Sequence, residues 1–370
     1  MGVPRPRQGK IWSGRQTAAA RRREPPLSRP CGPPSPARGE GSLERVGACA
    51  GWRNQPPLSH HLCIHYAALM NSIEISDTGQ PCAFCANCGP RLNSHVLPAF
   101  VYRWLRNRSG TGHIRDTDNI DRRVQDGIKL PWLCAKCENL FSKYETAFAN
   151  NVFYPWLKEE KPIVYDERLL KFCTSVSWRV LRFARGQNKD AKYTPEQEEL
   201  MDRAEQRWRD FINGLVAHPG DFEQHLVIFN VIENTSLSDL PTNMNRFMTG
   251  AVTLDIVGSE RSIMTFAKLG RFMIFGLIQG NKKAWQGTKI HVSNGFLKPD
   301  NVSIPGGLLY MFKEKAALAA AAVDSMSPRQ RAKVDLHIRG NLDQFLESEL
   351  FAAIKADARM FGENAVIWKE

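Results

Sequence analysis

A chain of 370 residues, 42% of them hydrophobic, has length for two or three domains and enough apolar side chains to bury a core. Its formal charge of +12 is unevenly placed: residues 1–69 carry eleven Arg or Lys against three Glu, a net +8, which leaves +4 for residues 70–370. Composition therefore does not make the bulk of the chain a polyanion binder. The longest apolar runs, Phe272–Ile278 and Ala316–Val323, fall far short of the ~20 residues that a membrane helix needs. Cysteine usage excludes a secreted disulfide scaffold, because the nine cysteines are odd in number and five fall in two tight clusters. A soluble, cytoplasmic protein with no membrane partner is expected.

Residues 1–69 are rich in Pro, Gly, Arg and Ser, as in Arg21-Arg22-Arg23-Glu24-Pro25-Pro26, and sustain no apolar period. Such a segment cannot bury enough surface to offset its ordering entropy and is expected to be disordered. It reads either as a basic arm or as an extension preceding a natural start at Met70, and the second is favoured because Met70 opens directly onto the cysteines.

Residues 70–160 are expected to form a zinc module. Cys82-Ala-Phe-Cys85-Ala-Asn-Cys88 and Cys134-Ala-Lys-Cys137 lie some fifty residues apart. Thiolates at C-x2-C spacing grip a metal from one tight turn, and two such turns close a tetrahedral Zn2+ site. The first pair has two registers: Cys88-Gly89 is a common knuckle ending and favours Cys85 with Cys88, whereas the distance to His95 favours Cys82 with Cys85. Ala99–Leu105 is apolar and aromatic, broken by Arg103, and residues 106–129 read as a polar loop. Arg103, Arg106 and Arg108 are candidate phosphate ligands, with Tyr102 and Trp104 available for stacking. From Lys136 the pattern turns helical and places Glu138, Ser142 and Glu145 on one stripe.

Residues 161–370 are expected to form an α+β domain. A helix over 166–185 follows the 3.6 period through Leu169, Phe172, Cys173, Val176, Val180 and Phe183, with Cys173 and Trp178 taken as core. A second starts at Thr194, with Pro195 at its first position and Gln197 completing a capping box, and carries the core residue Trp208. Strands are expected over 226–232, 252–257, 262–269, 272–278 and 289–292. Helices follow over 313–323, from Ser327-Pro328, and from Asn341 to Gly362. Helices, then strands, then helices indicate α+β architecture with an antiparallel sheet rather than a βαβ array.

A first CxxC, a following Ser94-His95-Val96-Leu97-Pro98, and a second CxxC that opens a helix resemble the HNH (ββα-metal, treble-clef) endonuclease superfamily, over about 75 of the 370 residues. The chain is also similar to uncharacterised bacterial proteins with Ser-His-x-x-Pro followed by Cys-x-x-Cys-Glu. The resemblance implies a ββα treble clef whose cysteines hold a structural zinc. It further implies that His95 is a general base on water, and that Ser94 and Glu138 occupy the positions that hold a divalent ion. Glu138 stands where the family has His or Asn, and Glu145 offers a second oxygen from the same face, a donor set suited to Mg2+ or Mn2+. The expected catalytic residues are thus His95, Glu138 and Glu145, and the expected activity is hydrolysis of phosphodiester bonds in DNA or RNA. The alternative is a non-catalytic zinc-binding module for nucleic acid or protein, in which His95 caps a turn or ligates zinc and the two Glu favour the positive end of their helix.

Overall fold

The computed structural model describes residues 81–87, 90–187, 193–299 and 302–366. The expectations for residues 1–69, for a start at Met70 and for Cys88 lie outside these residues. The described chain is mixed α+β, with antiparallel strand pairing throughout.

The turn Cys82–Cys85 leads into β1 (Arg91–His95), α1 (Ala99–Arg108), the two-residue strands β2 (Ile114–Arg115) and β3 (Arg123–Val124), β4 (Lys129–Cys134) and α2 (Ala135–Phe148). β1 pairs antiparallel with β4 from Arg91 opposite Cys134 to His95 opposite Lys129, with a register shift between Leu92 and Asn93. Pro131 lies opposite Asn93 at that irregularity, where a residue with no N–H to donate is tolerated. A π-helical segment (Ala149–Phe153) runs into α3 (Tyr154–Glu159), and β5 (Ile163–Tyr165) follows.

α4 (Glu167–Gln187) is the axis of the molecule. Fourteen of its 21 residues are buried, on all sides of the helix, which marks a helix enclosed by other elements. It packs against α2, against α5 (Pro195–Ile212) and against the main sheet. The predicted capping box of α5 is present: Gln197 N–H donates to Thr194 Oγ1 at 3.3 Å and Thr194 N–H to Gln197 Oε1 at 3.1 Å. The sheet contains β6 (Gln224–Ile228), β7 (Val252–Ser259), β8 (Ser262–Leu269) and β9 (Phe272–Gln279) in the order β6-β9-β8-β7. α6 (Met244–Gly250) precedes β7, and β10 (Gly295–Leu297) pairs with β5. α7 (Gly307–Asp324), α8 (Pro328–Gly340), α9 (Leu342–Leu346) and α10 (Glu349–Phe361) complete the chain.

The unbroken apolar run of β9 follows from burial on both sheet faces. Phe272, Ile274 and Ile278 join the core around α4, whereas Met273, Phe275 and Leu277 join a second core with Phe247 of α6 and Leu308, Met311 and Phe312 of α7. Alternation by two residues delivers apolar side chains to both layers. α4 lies tight against the sheet at Gly276, where a Cβ would lie 2.6 Å from both Ser177 Oγ and Thr265 Oγ1.

Several expectations are corrected. The span after Leu105 is not all loop: α1 continues through Arg106 and Arg108, with Arg103 and Arg108 on its exposed side. Residues 289–292 form no strand, only an isolated bridge between His225 and Lys289. The helix expected from Asn341 to Gly362 divides into α9 and α10, and Ser348 caps the second by accepting from Phe351 N–H at 3.1 Å. Cys173, Trp178 and Trp208 are fully buried, as expected. No described helix is long and apolar enough to cross a membrane.

The close approach at Gly276 yields a direct test. Gly276→Ala is expected to destabilise the chain by about 2 kcal/mol through overpacking, read as a lower urea midpoint with an unchanged m-value.

Candidate metal centre and the adjoining histidine site

The four thiols of Cys82, Cys85, Cys134 and Cys137 converge, with their sulfurs all within 4.8 Å of one another. The first knuckle is therefore Cys82 with Cys85. Local structure explains the convergence. Ala83 N–H donates to Trp132 O at 2.8 Å and Cys134 N–H to Cys82 Sγ at 3.3 Å, so the knuckle turn is tied along β4 to the residue that begins α2. Cys137 lies in the first turn of α2, three residues on. Between the two knuckle cysteines, Phe84 is fully buried, edge-on to Phe141 of α2 at 4.9 Å and to Trp178 of α4 at 5.0 Å.

The donor set fits zinc. Tetrahedral coordination with Zn–S bonds of about 2.3 Å places sulfurs about 3.8 Å apart, and Cys85 Sγ lies 3.7 Å from Cys134 Sγ. Burial opposes ionisation of Cys82, but N–H donors from Cys85, Cys134 and Phe84 outweigh it and bring the thiol down to about 7. Burial and the neighbouring thiols push Cys137 above the ordinary thiol range. Four thiolates crowded without a counter-charge cannot all ionise, and a divalent cation supplies the missing charge. His95 is not part of this cluster.

His95 ends β1, beyond the knuckle. Its Nε2 lies 2.8 Å from Asp126 Oδ1, in the turn that leads into β4. Asp126 also pairs with Lys129 at 2.7 Å and accepts from Gly127 N–H at 2.9 Å. Burial raises the Asp126 pKa, but Lys129, the Gly127 N–H and His95 together hold it below the usual carboxylate range. An ionised Asp126 fixes the proton on Nε2 and leaves the Nδ1 lone pair free. Tyr102 of α1 stacks against the imidazole at 6.4 Å between ring centroids. Burial and Asp126 push its phenol up, with Arg179 opposing. Gly127 admits that ring, since a Cβ there would lie 2.1 Å from it.

Arg179 joins this site to the core. It is 2% exposed on α4, and its Nη1 donates to His95 O at 3.2 Å and to Glu145 Oε1 at 2.7 Å. The guanidinium lies over the Phe141 ring, 5.3 Å from its centroid. One buried cation thus connects the end of β1 with the middle of α2.

The sequence-predicted residues fall into three groups. The metal cysteines assemble, with Cys88 outside the described residues. His95 and Glu145 meet through Arg179 rather than through a shared ligand. Glu138 lies half-buried in the first turn of α2 and makes no hydrogen bond or ion pair among the described residues. Ser94 is buried and its hydroxyl donates to Leu92 O at 3.3 Å. Among the described residues the four cysteines are the metal-holding set found, so His95, Glu138 and Glu145 do not form one. Nothing in this geometry supports the Mg2+ or Mn2+ set expected on them, and no chemical step is routed through such an ion.

Arg103 and Arg108 are exposed, whereas Arg106 Nη1 donates to Gln125 O at 3.2 Å. Tyr102 and Trp104 are buried rather than available for stacking; the indole packs edge-on to Phe153 at 5.3 Å. Sequence reasoning misses Asp126 and Arg179. Asp126 is one acid among several in a polar span, although its place immediately before Gly127 and the β4 pattern is a turn signal. Arg179 sits within the apolar stripe of α4, and no local signal distinguishes it from a solvated arginine.

No family model, curated protein or solved structure matches this chain.

Two expectations follow. Purified protein should hold one zinc per chain by elemental analysis. Cys85→Ser and Cys137→Ser should each abolish that stoichiometry, and Cys88→Ser should preserve it. Arg179→Met should cost about 3–5 kcal/mol in denaturant unfolding, because it strips the partner from half-buried Glu145 and orphans His95 O.

Proposed function

We propose that residues 82–148 form a treble-clef module stapled by zinc, and that the module hydrolyses phosphodiester bonds of nucleic acid with His95 as general base. The observation that carries this reading is the 2.8 Å pair between His95 Nε2 and Asp126 Oδ1 at the end of β1. A carboxylate that orients an imidazole and fixes its tautomer is the arrangement by which histidine serves as a base. The knuckle, the strand pair β1–β4 and the helix that opens at the second CxxC follow each other in the order the resemblance to HNH endonucleases implies. In this reading Nδ1 takes the proton of the attacking water as its oxygen bonds to phosphorus, the bond from phosphorus to the leaving sugar oxygen breaks, and solvent protonates that oxygen; Asp126 stabilises the imidazolium, and Tyr102 holds the plane of the ring. Zinc would be held by Cys82, Cys85, Cys134 and Cys137 and would serve structurally, tying the knuckle turn to the start of α2.

A second reading is a non-catalytic zinc module that binds nucleic acid or protein. One observation favours it: the Glu145 carboxylate is engaged by Arg179 at 2.7 Å and is not available to hold an ion with His95.

The zinc-loaded full chain, incubated with labelled single- and double-stranded DNA and RNA with and without added Mg2+ or Mn2+, separates the two. The first reading expects cleavage, a loss of about 10²–10⁴-fold in His95→Ala, and a smaller loss in Asp126→Asn. Wild-type protein that holds its zinc and cuts none of these substrates overturns the first reading and leaves the second.

A further inference from the structure

The β2–β3 hairpin gathers positive charge on one face. Arg115 and Arg123 are direct cross-strand partners, and Ile114 pairs with Val124. Alternation along each strand therefore places His113 and Arg115 on the same side as Arg123 and Gln125. Ile114 turns the other way and packs against the main core. His113 Nε2 lies 3.4 Å from Arg123 Nη1, and its Nδ1 lies 3.1 Å from Gln125 Nε2. Arg106 of α1 closes the side, with its Nη1 3.2 Å from Gln125 O and 3.4 Å from Gln125 Oε1.

This arrangement is unfavourable by itself. Like charges directly opposite each other in an antiparallel pair repel. Burial and the fields of Arg123, His337 of α8, Arg115 and Arg106 hold His113 below the ordinary histidine range. Both ring nitrogens of His113 face N–H donors, and a neutral imidazole can accept from only one. Among the described residues, no carboxylate forms an ion pair with Arg106, Arg115 or Arg123. Arg115 Nη1 donates instead to Ile120 O at 2.7 Å, and Asp121, whose charge partly offsets that of Arg115, accepts from Ser327 N–H at 3.0 Å. That last bond, with the small core of Ile120, Met326 and Val334, fixes the far end of the hairpin on α8. Arg115 and Arg106 are tied to main-chain oxygens while Arg123 is exposed, and conflict of this kind in an otherwise consistent fold is expected where a ligand resolves it.

We propose that Arg106, His113, Arg115 and Arg123 form a docking face for the phosphodiester backbone of a nucleic acid. The proposal rests on the reading of the His95 site as a phosphodiester site. Gln125, which touches both His113 and Arg106, is followed directly in the chain by Asp126, the partner of His95. The cations are arginines rather than lysines, and a planar fork suits phosphate oxygens. This assignment replaces Arg103 and Arg108 with residues of the hairpin and keeps Arg106.

Fluorescence anisotropy of the zinc-loaded full chain with labelled single-stranded and duplex oligonucleotides, over a series of salt concentrations, tests it. Arg106→Gln and Arg123→Gln are each expected to raise Kd by about 5–10-fold. The double variant should flatten the dependence of log Kd on log salt by about 0.7–0.9 for each phosphate that it no longer neutralises. A charge-matched control, Lys158→Gln on exposed α3, should bind as wild type, and zinc content and urea midpoints should show that every variant is folded. A double variant with wild-type Kd and salt slope overturns the proposal. So does wild-type protein that binds no nucleic acid, or a poly-glutamate competitor that displaces the oligonucleotide as well as unlabelled oligonucleotide does. Failure of the underlying reading is separable. Binding that the arginine variants weaken, with no cleavage by wild type, upholds the docking face and removes only the hydrolytic role of His95. Cleavage with unaltered binding in the variants does the reverse.

Discussion

The insertion of Phe84 between Phe141 and Trp178 is the interaction on which the metal centre depends. A CxxC turn alone is a short loop with few apolar neighbours of its own. Here its tip residue is driven into the seam between α2 and α4 and is fully buried there. That burial orients Cys82 and Cys85 towards the start of α2, where Cys134 and Cys137 wait at helical spacing. The main-chain bonds from Ala83 to Trp132 and from Cys134 to Cys82 Sγ set the remaining degrees of freedom. The site is thus assembled by packing as much as by sulfur chemistry.

The same helix α4 governs the histidine site. Arg179 projects from the middle of α4, where Phe172 to Leu181 are all buried, and it directs its charge at the carbonyl that ends β1 and at Glu145 of α2. A buried cation with one carboxylate is a weak source of net stability but a strong determinant of geometry, because any other arrangement strands a charge. His95 is consequently fixed from two directions: its backbone by Arg179 and its ring by Asp126 and Tyr102. Such support from several elements is what a side chain needs if its orientation is to matter chemically.

Much of the fold was legible in the sequence. The 3.6-residue apolar period of α4, the capping box at Thr194 and Gln197, and the strands β8 and β9 are patterns that local physics enforces. The second knuckle was legible for the same reason, since two cysteines at that spacing before a helical stripe have few other uses. The choice between Cys82/Cys85 and Cys85/Cys88 was not legible, because it is decided by where Phe84 packs. The span from residue 106 reads as a polar loop because Arg106 and Arg108 break the apolar run, although they only occupy the outer side of α1. The β2–β3 hairpin escapes notice because strands of two residues carry too little pattern. His113-Ile114-Arg115 and Arg123-Val124-Gln125 nevertheless do alternate polar and apolar. Asp126 and Arg179 owe their roles to tertiary partners that no window of sequence contains.

The shared position of Phe84 has a consequence for how tightly metal is held. A ligand set that is pre-formed by the core gains affinity from every interaction that keeps the core closed, and the core gains the same free energy back from the ion. An ion held by these four sulfurs would therefore owe its affinity to α2, α4 and the sheet behind them as well. A substitution in α4 that never approaches the four sulfurs would loosen such an ion, and its loss would be felt in the packing around Trp178, far along the chain from the nearest of these cysteines.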